Sequence, residues 1–325
     1  VKSVRLPQNA KICSGKYCGR AKHLIAEFWK VGLGAVSLFL VFYYGIGSMI
    51  TENIDVRSAY TPSSKNVPAF DTANGMSFLV KREIDAKMWT PNLPIVFPAY
   101  VLDNMPNFQT GIVTAIKDMT AVMRKFERNT EKQNEDIRQA YRLLSYPADV
   151  WLMSKTGKFN LAPSSNSQYR KGAKELRKFS QDGVFVPLDG DLDKVLRKMS
   201  AKLHKIVREN EEYQQEEASS WLIDTKADDL FYYAKGYAFA WWQMSRTLGE
   251  DFKRVIVDHN LYQDWTYLVS SLKKAAELKP LIVRNGKADS VWVPNHLIMQ
   301  NFYLLRAAVV IEKMHSALAR ETYDD

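Results

Sequence analysis

One apolar segment stands out in the pattern of hydrophobic and polar positions along this chain. Residues 31–50 form a run of 20 residues without a single charged side chain. At about 1.5 Å per residue, a helix of this length spans about 30 Å, which matches the hydrocarbon core of a bilayer. Trp29 lies at its start, and Tyr43 and Tyr44 lie towards its end, as is typical of aromatic side chains at membrane interfaces. The run therefore predicts a single transmembrane helix.

A cleaved signal peptide is the alternative interpretation of the same run. The small residues at 45–48 resemble the site at which signal peptides are cut. Signal peptides have shorter apolar cores, however, and Met49 and Ile50 continue this one. We therefore predict an uncleaved membrane anchor.

The positive charge of the chain is concentrated beside this run. Residues 1–30 contain seven lysines and arginines against one acid, Glu27, whereas the whole chain has a formal net charge of +9. Such a basic stub is typical of the cytoplasmic end of a span, and it can also bind anionic lipid headgroups. The prediction is a bacterial inner-membrane protein, single-pass, with its N-terminus in the cytoplasm and its body in the periplasm. Nucleic acid is not an expected partner.

Beyond residue 70, apolar positions recur mainly at three- and four-residue spacing, which is typical of amphipathic helices. The predicted helices cover residues 71–88, 109–145 with a break near Asn129, 169–179, 188–217, 225–248, 251–259, 262–278 and 295–320. Asp71 and Asp224 are predicted helix caps. Asn285 and Gly286 between two short apolar stretches predict a small β-hairpin over 281–293.

The predicted fold class is mainly α: one transmembrane helix followed by a multi-helix periplasmic domain with one small β-hairpin. Its regions are a basic cytoplasmic stub at 1–30, the transmembrane helix at 31–50, a linker at 51–70 and the helical periplasmic domain at 71–325. The linker could instead be an extended segment wrapped on the body. Residues 229–242 are so rich in aromatic side chains on several faces that they predict a central helix packed by neighbours on more than one side.

Four stretches carry a resemblance to a known family. They are FLVKREIDAKMWTPN at 78–92, LDNMPNFQTG at 102–111, DLFYYAKGYAFAWW at 229–242 and NGKADSVWVPNHL at 285–297. Together with their spacing they resemble a bacterial domain-of-unknown-function family, the one catalogued as number 2333. The resemblance implies an N-terminal membrane span and a periplasmic helical body, and it carries over no catalytic residues.

Common catalytic signatures do not occur in this sequence. It has no GxGxxG, Walker, GxSxG or HExxH motif, and no cysteine follows Cys18. Cys13, Cys18 and His23 could be drawn as a metal site, but three ligands without a fourth make a weak signal. We therefore expect no metal and no cofactor.

Two acids near Trp89 could be proposed as the acid and base of a glycan hydrolase. They are Glu83 and Asp85, and positions two apart do not share a face of a helix. Glu83 lies four residues before Lys87, so we expect an ordinary ion pair between them.

A polar cluster surrounds the proline-rich segment at 89–107, which is predicted to be an irregular loop. Amide side chains beside aromatic rings suit a glycan, because they offer neutral donors and acceptors next to a flat apolar face. The same side chains can instead cap the following helix. A second tract ends at His296, where a helix N-terminus favours anions. The candidate ligand-binding residues are Trp89, Asp103, Asn104, Asn107, Gln109, Asn285, Asn295 and His296.

Two functions remain open from the sequence. The first is a non-enzymatic envelope protein, a scaffold, assembly factor or regulator that contacts the lipid bilayer and other envelope proteins. The second is a peptidoglycan- or glycan-binding protein or hydrolase with a cleft between the 89–109 loop and the 285–296 tract. Glycines at 32, 34, 45 and 47 would let two spans approach closely, which leaves room for a homo-oligomer.

Overall fold

The computed structural model describes residues 16–51, 54–57, 60–61, 70–94, 97, 104–151, 162–182, 184–216, 225–280, 283 and 295–321. This part of the chain is mainly helical, as predicted. Its helices are α1 (Lys16–Thr51), α2 (Asp71–Lys81), α3 (Asn104–Met123), α4 (Glu131–Leu144), α5 (Ser165–Gln181), α6 (Asp189–Glu216), α7 (Thr225–Asp251), α8 (Lys253–Asp258), α9 (Tyr262–Glu277) and α10 (His296–Glu321). A π-helical segment, Arg82–Ala86, continues α2.

Helix α1 contains the predicted apolar run and begins well before it, in the basic stub. Its part Phe28–Gly47 is long and apolar enough to cross a membrane, and none of that part is buried. Large apolar side chains such as Phe39 and Val41 are exposed along its length. Residues 16–30 of the stub and the run therefore belong to one continuous helix that ends at Thr51.

The N-terminus of α2 differs from its prediction. Asp71 is the first helical residue, and Phe70 occupies the cap position without a capping side chain. The capping carboxylate is Asp251 of α7, which accepts hydrogen bonds from the amides of Asp71 and Thr72 at 3.0 and 2.9 Å. The Thr72 hydroxyl also donates to Asp251, at 2.6 Å. A residue at the far end of another helix thus satisfies the free amides that every helix start presents.

The predicted stretch at 109–145 is two helices, and the break near Asn129 is confirmed. Asn129 donates to the carbonyl of Met123, the last residue of α3, at 2.8 Å. Thr130 and Gln133 then start α4 with a reciprocal capping box. At its other end α3 begins at Asn104, inside the predicted loop. Pro106 is tolerated there because the first-turn amides of a helix have no intrahelical acceptor.

Helix α7 is the centre of the body, as its aromatic content predicted. Helices α3, α9 and α2 pack on it, while α10 pairs with α6 and α9, and α4 pairs with α5. Glycines allow α3 and α7 to cross at backbone contact: a Cβ on Gly236 would overlap the carbonyl oxygen of Phe108, and one on Gly111 would overlap that of Tyr233. One large apolar cluster runs through the body, and a small second one surrounds Phe231.

The segment between the apolar helix and the body follows the wrapped alternative where it is described. Ile54 and Val56 pack against the main apolar cluster, and the Tyr60 hydroxyl donates to Asp71 at 2.8 Å. The predicted hairpin at 281–293 and the predicted cap Asp224 lie outside the described residues, except for Val283, which is buried.

Candidate functional site

Gln109, a predicted site residue, lies fully buried in the first turns of α3. Its amide oxygen accepts from the backbone N–H and the hydroxyl of Thr90, each at 2.9 Å. Its amide nitrogen donates to the Met88 carbonyl at 2.9 Å and to Glu83 at 3.2 Å. Met88 has a φ of 64°, a left-handed conformation that non-glycine residues adopt at a cost. Gln109 therefore ties the turn after the π-helical segment to α3.

The acid beside Gln109 is paired differently from the prediction. Glu83 is fully buried and accepts from the guanidinium of Arg82 at 2.8 Å, so the predicted pair with Lys87 is wrong. Lys87 instead lies 4.0 Å from Asp55. Asp85 is exposed and binds Arg170 at 2.6 Å. The two acids face different surroundings, as the two-residue spacing predicted, and do not form an acid and base pair.

The aromatic side chains proposed for stacking are inside the core. Trp89 and Phe108 are both fully buried. The indole N–H of Trp89 donates to the Ala148 carbonyl at 2.9 Å, and its ring meets the edge of Tyr169 at 5.1 Å between centroids. Neither ring offers a face to a sugar in this structure.

The remaining described candidates lie at helix starts. Asn104 and Asn107 are in the first turn of α3, and the Asn107 side chain donates to Asp229. Asn295 caps α10 by accepting from the Ile298 amide at 2.9 Å. His296 is the first residue of α10 and is half-buried. Asp103 and Asn285 lie outside the described residues.

Asn107 of the first predicted tract and residues just after the second one contact the same end of the central helix. Asn107 reaches Asp229 in the first turns of α7. From α10, Gln300 donates to the carbonyl of Phe231 at 3.1 Å, and Leu297 belongs to the small apolar cluster around Phe231. The described side chains in this region serve helix caps and helix packing. The glycan alternative therefore remains a prediction that no described contact favours.

An open groove does lie near the Trp89 turn. Its volume is about 230 Å³, and its walls are one face of α3, including Thr110, Thr114 and Lys117, and the connection at 144–148. Ligand sites for drug-sized molecules usually measure about 300–1,000 Å³, so this groove is small. Thr114 already donates to the Thr110 carbonyl at 2.8 Å. The groove thus presents Lys117 as its one cationic side chain among the lining residues.

Two buried ionisable groups escaped the sequence reasoning. Lys235 is buried in α7 and donates to the carbonyl of Leu278 at the end of α9; burial, with Lys279 nearby, lowers its pKa to about 8. Burial also raises the pKa of Asp251 to about 7, against the hydrogen bonds that it accepts. In the sequence, the one signal for Lys235 is its position inside an aromatic run. No neighbouring residue marks Asp251 as a buried acid.

A carboxyl pair at the start of α4 was also missed. Burial and a hydrogen bond with Asp182 together raise the pKa of Asp136 to about 6. Asp182 binds Lys132 at 2.9 Å, which lowers the pKa of Asp182, so just below pH 6 Asp136 holds a proton while Asp182 keeps its charge. Among the described residues no group of three or more metal-type ligands comes together. The pair can share a proton between α4 and the end of α5, and it lacks the further ligands that a metal would need.

The fold and these contacts define a class: a mainly helical body beside an exposed apolar helix, with Trp89, Asn107, Gln109 and Asn295 of the predicted site engaged in structural bonds. The sequence matches the family described as "Uncharacterized protein conserved in bacteria (DUF2333)" over residues 92–183 and 188–321. The match covers more than half of the chain, so the protein belongs to this family, as its resemblance predicted. Three of the four stretches that carried the resemblance fall within the match. No curated protein and no solved structure matches the chain significantly.

Proposed function

We propose that this protein is a single-pass inner-membrane protein whose periplasmic helical body acts as a non-enzymatic scaffold for other envelope proteins. The unburied helix α1 supports the membrane part, because an apolar helix without protein neighbours needs another apolar environment. The basic stub supports an N-terminus in the cytoplasm. The structural use of the buried polar groups described above favours a binding role over catalysis.

The observation that carries the scaffold proposal is an exposed apolar face on the body, which we call the α10 face. Ile298, Met299, Phe302 and Val309 of α10 are between about a third and two thirds exposed. Tyr267 of α9 adjoins them and is 45% exposed. Large contiguous apolar patches are uncommon on soluble surfaces and mark interaction sites.

Arg306 lies at the centre of this face, in contact with two of its aromatic side chains. The guanidinium of Arg306 lies over the rings of Tyr267 and Phe302, 4.5 and 5.4 Å from their centroids, and it donates to the Tyr267 hydroxyl. Arginine held between aromatic rings is a common centre of protein interfaces. The fitting occupant is a protein segment that places apolar side chains around one carboxylate.

Photo-crosslinking tests whether another envelope protein binds the α10 face. We would replace Phe302 by p-benzoylphenylalanine in the full chain, irradiate intact cells and identify the adducts. A defined adduct with another envelope protein, weakened by Arg306→Glu, is the expected result. The same residue placed at Glu135, which is exposed on α4, is the control and should give no such adduct. An adduct of the chain with itself alone, or equal adducts at both positions, would contradict the proposal.

A reporter fusion tests the topology independently. Alkaline phosphatase fused after Asp325 should be active, because the body is proposed to lie in the periplasm. An inactive phosphatase, together with an active cytoplasmic reporter at the same position, would overturn the proposed orientation without bearing on the α10 face.

A further inference from the structure

The body lies close to the end of the apolar helix. Helix α1 ends at Thr51, and Ile54 already packs against the main apolar cluster of the body. Three residues of fully extended chain span about 10 Å. If α1 crosses the bilayer, as proposed above, the part of the body that holds Ile54 lies beside the membrane surface.

The following residues hold that arrangement in place. The Asp55 carbonyl accepts from Arg82 at 2.9 Å, and its carboxylate lies 4.0 Å from Lys87. The Tyr60 hydroxyl donates to Asp71 at 2.8 Å. Burial and the Asp71 carboxylate raise the pKa of Tyr60, which keeps this donor protonated. The segment therefore runs along α2 in the opposite direction, from its C-terminal end to its N-terminal end.

An exposed strip, which we call the α2 strip, runs along α2 and the π-helical segment after it and joins the 54–60 segment to α5. The strip consists of residues at four-, three- and four-residue spacing that are exposed or half-buried: Asn74, Phe78, Lys81 and Asp85. On one side, the Phe78 ring contacts the Tyr60 ring, with 5.8 Å between centroids. On the other side, Asp85 binds Arg170 of α5 at 2.6 Å. The membrane-proximal segment, the strip and α5 thus form one continuous surface.

The exposed side of α5 is almost entirely basic. Of its six exposed positions, five are lysine or arginine: Arg170, Lys171, Lys174, Arg177 and Lys178, with Gln181 as the sixth. Asp85 binds Arg170, and Glu175 binds Lys178 at 2.9 Å; Asp136 and Asp182 also lie close enough to Lys178 to raise its pKa. Lys171, Lys174 and Arg177 have no carboxylate within 4 Å among the described residues. We call Arg170 to Lys178, with the α2 strip, the basic face.

We infer that the basic face binds the anionic phospholipid headgroups of the leaflet on which the body rests. Its charge is complementary to that surface, and lysines and arginines near an anionic membrane each strengthen the attraction. The short distance from Thr51 brings the basic face there, and Phe78, 38% exposed, adds an apolar ring of the kind that interfacial helices place at the headgroup boundary. Lipid composition would thereby control how closely the body lies against the membrane.

A fluorescence experiment on the full chain in lipid nanodiscs tests this inference. Cys13 and Cys18 are replaced by serine, and Gln181→Cys at the end of α5 carries a fluorophore. Discs of phosphatidylcholine alone, or with added phosphatidylglycerol, contain a lipid with a nitroxide quencher on its headgroup. We expect quenching only in the anionic discs, with loss of quenching at high ionic strength because salt screens such contacts. The triple variant K171E/K174E/R177E should lose it as well.

A matched charge reversal separates local contact from net charge. Arg197, Lys205 and Arg208 are exposed on α6, which packs mainly on α10 and not on α5. The variant R197E/K205E/R208E changes the net charge by the same amount and should keep the quenching. Circular dichroism of both triple variants confirms that they fold alike.

The remaining outcomes decide against the inference. Equal quenching in neutral and anionic discs would mean apolar contact, and no quenching in either would mean a body held away from the membrane. Loss of quenching in the α6 variant would mean a non-specific charge effect. A chain that does not enter the discs would overturn the membrane anchor itself. The crosslinking experiment at Phe302 tests the scaffold proposal and not lipid binding. Its outcome is independent of the nanodisc results, because the discs contain no partner protein.

Discussion

Helices α1 and α7 are both long, apolar and rich in aromatic residues, yet their surroundings are opposite. The Phe28–Gly47 part of α1 has no buried residue, whereas most of α7 between Phe231 and Leu248 is fully buried. Apolar composition therefore does not distinguish a membrane helix from a core helix. The flanking residues differ: the apolar part of α1 follows a basic stub, as is typical of membrane spans, whereas α7 lies among amphipathic helices that supply its neighbours.

The glycines of α1 and α7 show the same difference between an exposed helix and a buried one. A Cβ added to Gly34 or Gly45 of α1 would meet nothing within 4 Å. A Cβ added to Gly236 of α7 would overlap the backbone of α3. The glycines of α1 leave a surface open for lipid or a second helix, while Gly236 is part of a closed helix crossing.

The largest effect is expected from charges placed in α1. Leu38→Asp with Phe39→Asp puts two carboxylates at the middle of the proposed span, and each costs roughly 2.5–3.5 kcal/mol there. The double variant should leave the membrane fraction after alkaline extraction. Tyr262→Asp, at an exposed position of the body, is the control and should stay membrane-bound. Retention of the double variant would exclude α1 as a spanning helix.

The next largest effect is a loss of stability at the crossing of α3 and α7. Helix propensity favours alanine over glycine by about 1 kcal/mol, but Gly236→Ala forces the two backbones apart. Overpacking of this kind costs about 1–3 kcal/mol or more, so we expect the free energy of unfolding to fall by about 3 kcal/mol. Urea denaturation of the full chain in detergent measures it. Gly34→Ala in α1 should leave the unfolding of the body unchanged, and an equal loss in both variants would refute the comparison.

A smaller loss is expected at Gln109. The substitution Gln109→Ala leaves the buried Thr90 amide without its acceptor and removes one donor each from the Met88 carbonyl and Glu83, and unmade hydrogen bonds of this kind cost about 1–3 kcal/mol. The same denaturation measurement should show a loss of about 2 kcal/mol. Gln263→Ala, at an exposed position of α9, should change stability by less than about 0.5 kcal/mol. If Gln109 served a ligand instead, its removal would leave stability intact.

The smallest effect is a pH dependence carried by Asp251. Its pKa rises from 3.8 in the unfolded chain to about 7 in the folded chain, so the folded chain holds an extra proton between these values. The free energy of unfolding should therefore fall by about 1–2 kcal/mol from this group as pH rises from 6 to 8, through the folded pKa. Asp136 acts in the same direction, because its folded pKa is about 6.

Variants isolate the contribution of Asp251 to that slope. Asp251→Asn should flatten the dependence of stability on pH in this window. Asp258→Asn, at an exposed position on α8, should not change it. An unaltered slope in the Asp251 variant would show that this carboxyl is ionised in the folded chain at neutral pH.

Much of the helical layout could be predicted, and particular residues show why. The predicted helix at 188–217 is α6 (Asp189–Glu216), and the one at 262–278 is α9 (Tyr262–Glu277). Their apolar spacing is a local property, readable within a few turns. The start of α3 was missed because Pro106 suggested a loop, although a proline in a first turn is compatible with a helix.

The candidate site was much harder to predict than the helices. Asn295 was correctly placed at the start of the last helix, where a cap is a local feature. Trp89 and Gln109 were proposed for a ligand, and the structure buries both. Their partners, Ala148 and Thr90, lie 59 and 19 residues away along the chain, beyond the reach of any spacing rule.

By itself, the sequence determined the apolar run, the position of the excess charge, the order of the helices and the family of this protein. These properties depend on neighbours within a few turns of the chain. Only the tertiary structure decided which polar side chains are engaged and which surfaces stay open. Asp251 caps a helix whose first residue lies 180 positions before it, and the basic side of α5 becomes a membrane-facing candidate only through the contacts of Asp55 and Tyr60. Burial and pairing depend on distant segments, because a polar group is stable inside a protein only where the fold brings it a partner.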